Sequence, residues 1–180
     1  FKRLTPCVLT IYCEDDMKVV PTGGALGAEI QGVDLTNGLD DETVAHIRQA
    51  LLDYCVIYFR DQGLSEEDQI RFTNYFGQAV EHVRKQRERK NKEIFLISNV
   101  KENGEEIGAL GSHEVSFHSD LSYLKHPGTI STLYAVEIPS MGGGTQWCNC
   151  YAAYEALDQN VKDQLKGLRA VHRHYVEEQN

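Results

Sequence analysis

Apolar positions in the first part of the chain switch between the two-residue period of strands and the longer period of helices. Residues 18–35 form short apolar runs broken at Gly23-Gly24 and Gly27, the pattern of two strands joined by a glycine turn. Asp40 stands where a helix N-cap belongs, and Val44, Ile47, Leu51 and Tyr54 follow at helical spacing, so a helix is expected to about Tyr54. Residues 55–59 are a short, nearly continuous apolar run, which predicts a buried strand. A turn at Arg60-Asp61-Gln62-Gly63 follows. Ser65 and Asp68 have capping-box spacing, and Ile70, Thr73 and Phe76 continue a second helix to a stop at Gly77.

Beyond the second helix the elements shorten. Residues 93–98 read as a strand, Asn103-Gly104 as a tight turn, and residues 108–112 as a glycine-containing loop suited to moving over a pocket. Val115, Phe117, Leu121 and Tyr123 are β-formers, as are several of residues 129–136, so two strands are expected there. Gly142-Gly143-Gly144 follows the turn signal Pro139-Ser140. Asn149 can cap a helix carrying Tyr151, Tyr154 and Leu157. A second short helix spans residues 159–165 and stops at Lys166-Gly167, and residues 168–176 return to strand character. Helices first and short strands later predict an α+β chain built round a β-barrel or jelly roll.

Length and charge narrow the class. A chain of 180 residues with 41% hydrophobic residues can build the core of one domain. A net charge of -9 and a pI near 5.2 argue against nucleic acid or an anionic membrane as partner. The six basic residues Arg84, Lys85, Arg87, Arg89, Lys90 and Lys92 are therefore read as a solvated, mobile loop. No apolar run is long enough to span a bilayer, and residues 1–16 lack a small-residue cleavage pattern. The five cysteines are odd in number and lack framework spacing, which suits a reducing cytoplasm. Cys148 and Cys150 form half a soft-metal pattern without a second half, and are expected to be idle or packed thiols.

The candidate chemistry lies at His118-Ser119-Asp120. On a strand, residues two apart share a face about 6–7 Å apart, so an imidazole and a carboxylate at this spacing can close on one cation. A third ligand would complete a two-histidine, one-carboxylate facial set, which leaves positions open on an octahedral iron. The same triplet also describes an ordinary surface hydrogen-bonding pair.

The surroundings of the triplet distinguish the two. The runs F-H-S-D-L-S-Y, Y-A-V-E-I-P-S-M-G-G-G-T-Q-W, Y-A-A-Y-E-A-L and G-L-R-A-V-H occur in that order, preceded by G-A-E-I-Q-G-V-D-L and V-I-Y-F-R-D-Q. Together they resemble the taurine/2-oxoglutarate dioxygenase family of Fe(II)-dependent oxygenases, from Met17 to about Val176. The resemblance implies a double-stranded β-helix (a jelly roll, cupin-like barrel) with flanking N-terminal helices. It makes His118 and Asp120 two iron ligands and catalytic residues, and Thr145 a donor to 2-oxoglutarate. His82 falls at a substrate-binding position, with a surface histidine as its alternative. Glu114 falls at a substrate-facing position where taurine-using members carry Asn, which suggests a different substrate, one with a cationic group.

The family's third ligand, a distal histidine, and the arginine that pairs with 2-oxoglutarate have no counterpart in residues 17–180. His172 matches a non-ligand position, and with His174 reads as alternating strand residues. The chain is therefore expected to be a C-terminally truncated piece of a longer enzyme, with residues 1–16 an extension of unassigned role. An open sheet edge would invite pairing, and a homo-oligomer is one way to cover it. The expected activity is oxidation of a small organic substrate with Fe(II), 2-oxoglutarate and O2, releasing succinate and CO2. Two rivals stand beside it. One is a non-catalytic remnant binding a small acid or a partner subunit. The other is a cupin-type metalloenzyme without 2-oxoglutarate dependence.

Overall fold

A computed structural model describes residues 17–82, 86–110 and 115–173. The chain divides into two compact units. The first holds residues up to Asp34 together with Leu39–Gln62; the second holds Leu35–Gly38 and the chain from Gly63 onward.

In the first unit, β1 (Lys18–Pro21) and β2 (Ala28–Gln31) pair antiparallel, with Lys18 opposite Gln31 and Pro21 opposite Ala28. The glycine turn between them closes through a bond from the Thr22 amide to the Gly27 carbonyl at 3.0 Å, with Gly27 at φ 99. Helix α1 (Asp41–Tyr54) starts as its sequence predicts. The Asp40 carboxylate accepts from the Thr43 amide at 2.7 Å, and that bond holds its carboxyl below the usual range. Cys55 closes the helix in the left-handed region at φ 64, its amide bonded to the Leu51 carbonyl at 2.8 Å. This cap turns the chain into β3 (Ile57–Tyr58), which lies parallel to β2. The order is β1-β2-β3, and Ile47 and Ala50 of α1 are buried along with Ala28 and Ile30 of the central strand. The strand expected at residues 55–59 is thus shorter and only half-buried: β3 is an edge strand paired on one side.

In the second unit, α2 (Glu66–Asn74) carries a full capping box. The Ser65 hydroxyl accepts from the Asp68 amide at 3.1 Å, and the Asp68 carboxylate accepts from the Ser65 amide at 3.0 Å. Bonds from Ser65, then the Arg71 guanidinium, hold the Asp68 carboxyl below its ordinary value. The helix ends at Asn74 rather than near Phe76. The Tyr75 and Phe76 amides reach the Phe72 and Thr73 carbonyls, which tightens the last turn. Phe72 is buried and meets Phe76 edge-on at 5.3 Å.

Within the basic run, irregular chain as expected, three described residues form ion pairs. Arg89 pairs with Glu66, Lys90 with Glu67 at 2.8 Å, and Arg87 with Glu102 at 3.2 Å, while the Asn91 amide donates to Glu66 at 2.8 Å. The acids of the first turn of α2, which complement the helix dipole, also collect Arg89 and Lys90. The Lys90 bond is the largest influence lowering Glu67 to about 2, and the same pair raises Lys90. Arg84 and Lys85 lie outside the described residues.

Four two-residue strands follow: β4 (Ile97–Ser98), β5 (Lys101–Glu102), β6 (Glu105–Glu106) and β7 (Ala109–Leu110). β5 and β6 form a hairpin over Asn103-Gly104, both at positive φ, as that dipeptide predicts. β4 and β7 pair in parallel, and their approach leaves Gly108 no room. A Cβ there would sit 2.7 Å from the Ser98 backbone nitrogen and 2.9 Å from the Leu96 carbonyl oxygen. Gly108, expected in a loop over a pocket, is a close-packing glycine at the entry to β7; residues 111–112 lie outside the described residues. Gly108→Ala is expected to cost about 1–3 kcal/mol, because backbone must move to admit the methyl group. Urea unfolding of the variant beside the wild type measures this.

Helices α3 (Cys150–Glu155) and α4 (Gln159–Leu165) are the last elements among the described residues, α3 capped by Asn149, whose side chain accepts from the Ala152 amide at 3.0 Å. The strands expected at 115–123, 129–136 and 168–173 are irregular chain instead. β-Propensity expresses itself only against a partner strand and a packed face, and these segments have no ladder among the described residues. None of residues 115–173 is buried, and Val136, Ile138 and Met141 are among the most exposed apolar side chains. The described strands form three small sheets, with no closed barrel among them.

Candidate metal centre

His118 and Asp120 lie where irregular chain enters a turn. Leu121 adopts φ 52, and the Leu124 amide bonds back to the Leu121 carbonyl at 3.0 Å. The turn, not strand alternation, brings the two side chains together. His118 Nε2 is 3.1 Å from Asp120 Oδ1, and His118 Nδ1 is 2.8 Å from the Ser116 carbonyl oxygen. A carbonyl only accepts, so Nδ1 carries the proton, and in the neutral ring Nε2 presents its lone pair to the carboxylate. Two electron-pair donors facing each other at that distance require a cation between them, either a proton or a metal.

The separation is that of an N–H···O hydrogen bond from a protonated ring, and it equally fits a metal. Donors about 2.1 Å from an octahedral ion, at adjacent positions, stand about 3.0 Å apart. Imidazole with carboxylate is also a donor set that iron accepts. The two side chains are 59% and 55% exposed, so solvent and ions reach them. Among the described residues no third His, Cys, Asp or Glu joins the pair to complete a metal-binding group.

The second carboxylate oxygen is also engaged. Ser131 Oγ donates to Asp120 Oδ2 at 2.6 Å. Sequence reasoning did not single out Ser131, because a serine in a β-forming run after Pro127-Gly128 carries no spacing signal. The chain around it is docked on α2. Thr132 Oγ1 lies 2.8 Å from Thr73 Oγ1, the Gln69 side chain donates to the Thr132 carbonyl at 3.4 Å, and the Leu64 amide donates to the Tyr134 hydroxyl at 3.2 Å.

The remaining candidates are more dispersed. Thr145 is exposed in irregular chain after the glycine turn, where Gly142 and Gly143 take φ 77 and 67. His82 is half-buried and stacks on Phe95, ring centroids 4.1 Å apart. The Gln86 side chain bridges the neighbours of Phe95, donating to the Ile94 carbonyl at 2.8 Å and accepting from the Leu96 amide at 3.3 Å. Glu114 and His174 lie outside the described residues. His172 is exposed in irregular chain, and Cys148 and Cys150 are free, exposed thiols flanking the cap of α3.

Fold and site thus define an α+β chain in which a turn brings one imidazole and one carboxylate together. Residues 18–179 match the family described as Taurine catabolism dioxygenase TauD, TfdA family. The chain belongs to that family. It is 36% identical to a pentalenolactone F synthase of Streptomyces avermitilis, over 87% of this chain and 52% of that protein. It is 32% identical to an alpha-ketoglutarate-dependent 2,4-dichlorophenoxyacetate dioxygenase of Cupriavidus pinatubonensis, over 84% of this chain and 56% of that protein. Among solved structures, a taurine dioxygenase from Burkholderia xenovorans superposes with a TM-score of 0.69 at 33% identity, covering 88% of this chain and 54% of its own. The chain spans about half the length of the relatives it matches.

Proposed function

We propose that this chain is the iron-binding part of a non-haem Fe(II), 2-oxoglutarate-dependent dioxygenase that oxidises a small organic molecule. The observation that carries the proposal is the convergence of His118 Nε2 and Asp120 Oδ1 at 3.1 Å, in a chain of this family. The family relationship supports a double-stranded β-helix as the architecture of the whole enzyme. When bound, Fe(II) with 2-oxoglutarate and O2 supplies an oxidative decarboxylation that yields succinate and CO2 and oxidises the substrate.

The chain's own residues supply position. His118 offers Nε2, with its Nδ1 proton held by the Ser116 carbonyl. Asp120 offers Oδ1. Thr145 donates its hydroxyl to a carboxylate of 2-oxoglutarate. His82, its ring orientation set by the stack on Phe95, binds substrate, and Glu114 selects a substrate with a cationic group. Arg87, Arg89 and Lys90 are ion-paired and the net charge is -9, which support a small molecule over nucleic acid as partner. Among the described residues no helix is long and apolar enough to cross a membrane. Cys55, Cys148 and Cys150 are free thiols, which supports the cytoplasm as the working compartment. The exposed apolar side chains from Leu133 to Val171 support self-association as a homo-oligomer.

The test is succinate release from a polypeptide of the family's full length, given Fe(II), 2-oxoglutarate and a panel of small acids, sulfate esters and cationic compounds. Succinate formation that needs both Fe(II) and 2-oxoglutarate is the expected result. Metal binding without succinate from any addition would favour the non-catalytic remnant.

A further inference from the structure

The geometry points to Ser131 as a positioning residue that orients the Asp120 carboxylate toward the metal. The inference rests on the iron reading of the His118–Asp120 pair. A carboxylate on an exposed turn rotates broadly about its last torsion, since sp³–sp² torsions lack sharp wells. Ser131 removes that freedom. Its hydroxyl donates to Oδ2 at 2.6 Å, within the range of charge-assisted O–H···O⁻ bonds, and this leaves Oδ1 turned toward His118 Nε2. Asp120 therefore presents one oxygen to the cation while the other stays on protein.

Ser131 can do this because its own backbone is fixed. Thr132, next in sequence, is tied to α2 by Thr73 and Gln69, and Tyr134 receives the Leu64 amide just before the capping box. One hydroxyl thus couples a ligand on an exposed turn to the best-capped helix of its unit. Outer partners of this kind hold ligating carboxylates in register, and their loss typically weakens metal binding about 10–100-fold.

The experiment is a Co(II) titration of the 180-residue chain by visible absorption, on wild type, Ser131→Ala, Ser131→Thr and Asp120→Ala. Ser131→Ala is expected to raise the Co(II) dissociation constant about 10–100-fold. Ser131→Thr keeps the hydroxyl and should stay near wild type. Ser131 is exposed, so the urea midpoint of the alanine variant should not move, whereas a merely structural serine would shift that midpoint and leave Co(II) affinity alone. Unchanged Co(II) binding in Ser131→Ala, with binding lost in Asp120→Ala, would overturn the role of Ser131 and leave the metal site standing. Unchanged binding in Asp120→Ala would overturn the metal reading itself, and the role of Ser131 with it.

Discussion

Replacing Asp120 by alanine is expected to lower Fe(II) affinity by more than about 100-fold and to remove most turnover in the full-length enzyme, with the helices intact. Losing a partner one bond removed from a metal already costs about 10–100-fold, so losing the ligand itself must cost more. Stability should change little. Asp120 is 55% exposed, and its described bonds, to His118 and Ser131, are with solvent-accessible side chains. Exposed pairs of this kind contribute about 0–1 kcal/mol. Circular dichroism should therefore show the helices of wild type, while Fe(II) titration and succinate release both collapse. Loss of soluble protein together with activity would instead mark Asp120 as a structural carboxylate and remove the main support for an iron site.

Helix starts were legible because a cap is a local device. Asp40 and Ser65 each act within three residues, so the reading of α1 and α2 needed nothing from the rest of the chain. The same holds for Asn149, and for Asn103-Gly104 as a hairpin turn. The strands expected beyond residue 115 could not be read this way. Residues 115–123 and 129–136 contain the right side chains, but a strand exists through its neighbour, and no amino-acid pattern names the neighbour. The described part of the basic run is mostly exposed irregular chain, as its charge suggests, but its ion pairs were not legible: only the chain's return to the N-terminus of α2 brings Glu66 and Glu67 to Arg89 and Lys90.

The candidate site shows the same division. His118 and Asp120 were legible because two-residue spacing keeps them close in almost any extended or turning backbone. Their meeting at 3.1 Å survives even though the strand invoked for it is a turn. Ser131 was not legible, because its partner lies 11 residues away and a lone serine has no pattern. The close packing of Gly108 was not legible, because a glycine's need for space depends on Ser98 and Leu96, contacts made only when β4 and β7 pair.

Thr145→Val is expected to weaken 2-oxoglutarate binding on the order of 10–150-fold in the full-length enzyme and to leave metal affinity nearly unchanged. A hydrogen bond to a charged acceptor contributes about 1.5–3 kcal/mol, and valine removes the donor at almost constant shape. The substitution should not disturb its surroundings. Thr145 is exposed, so no packing is lost, and valine accepts the same backbone geometry. The preceding turn is set by Gly142 and Gly143 at positive φ, with a Cβ on Gly143 placed 2.8 Å from the Pro139 ring, and residue 145 has no part in it. Separate titrations with Fe(II) and with 2-oxoglutarate, on wild type and variant, resolve the two constants. A fall in both would mean that the change reached the proposed ligands His118 and Asp120 through the backbone. A 2-oxoglutarate constant equal to wild type would take Thr145 out of the site. The case for a dioxygenase would then rest on the His118–Asp120 pair and the family match alone.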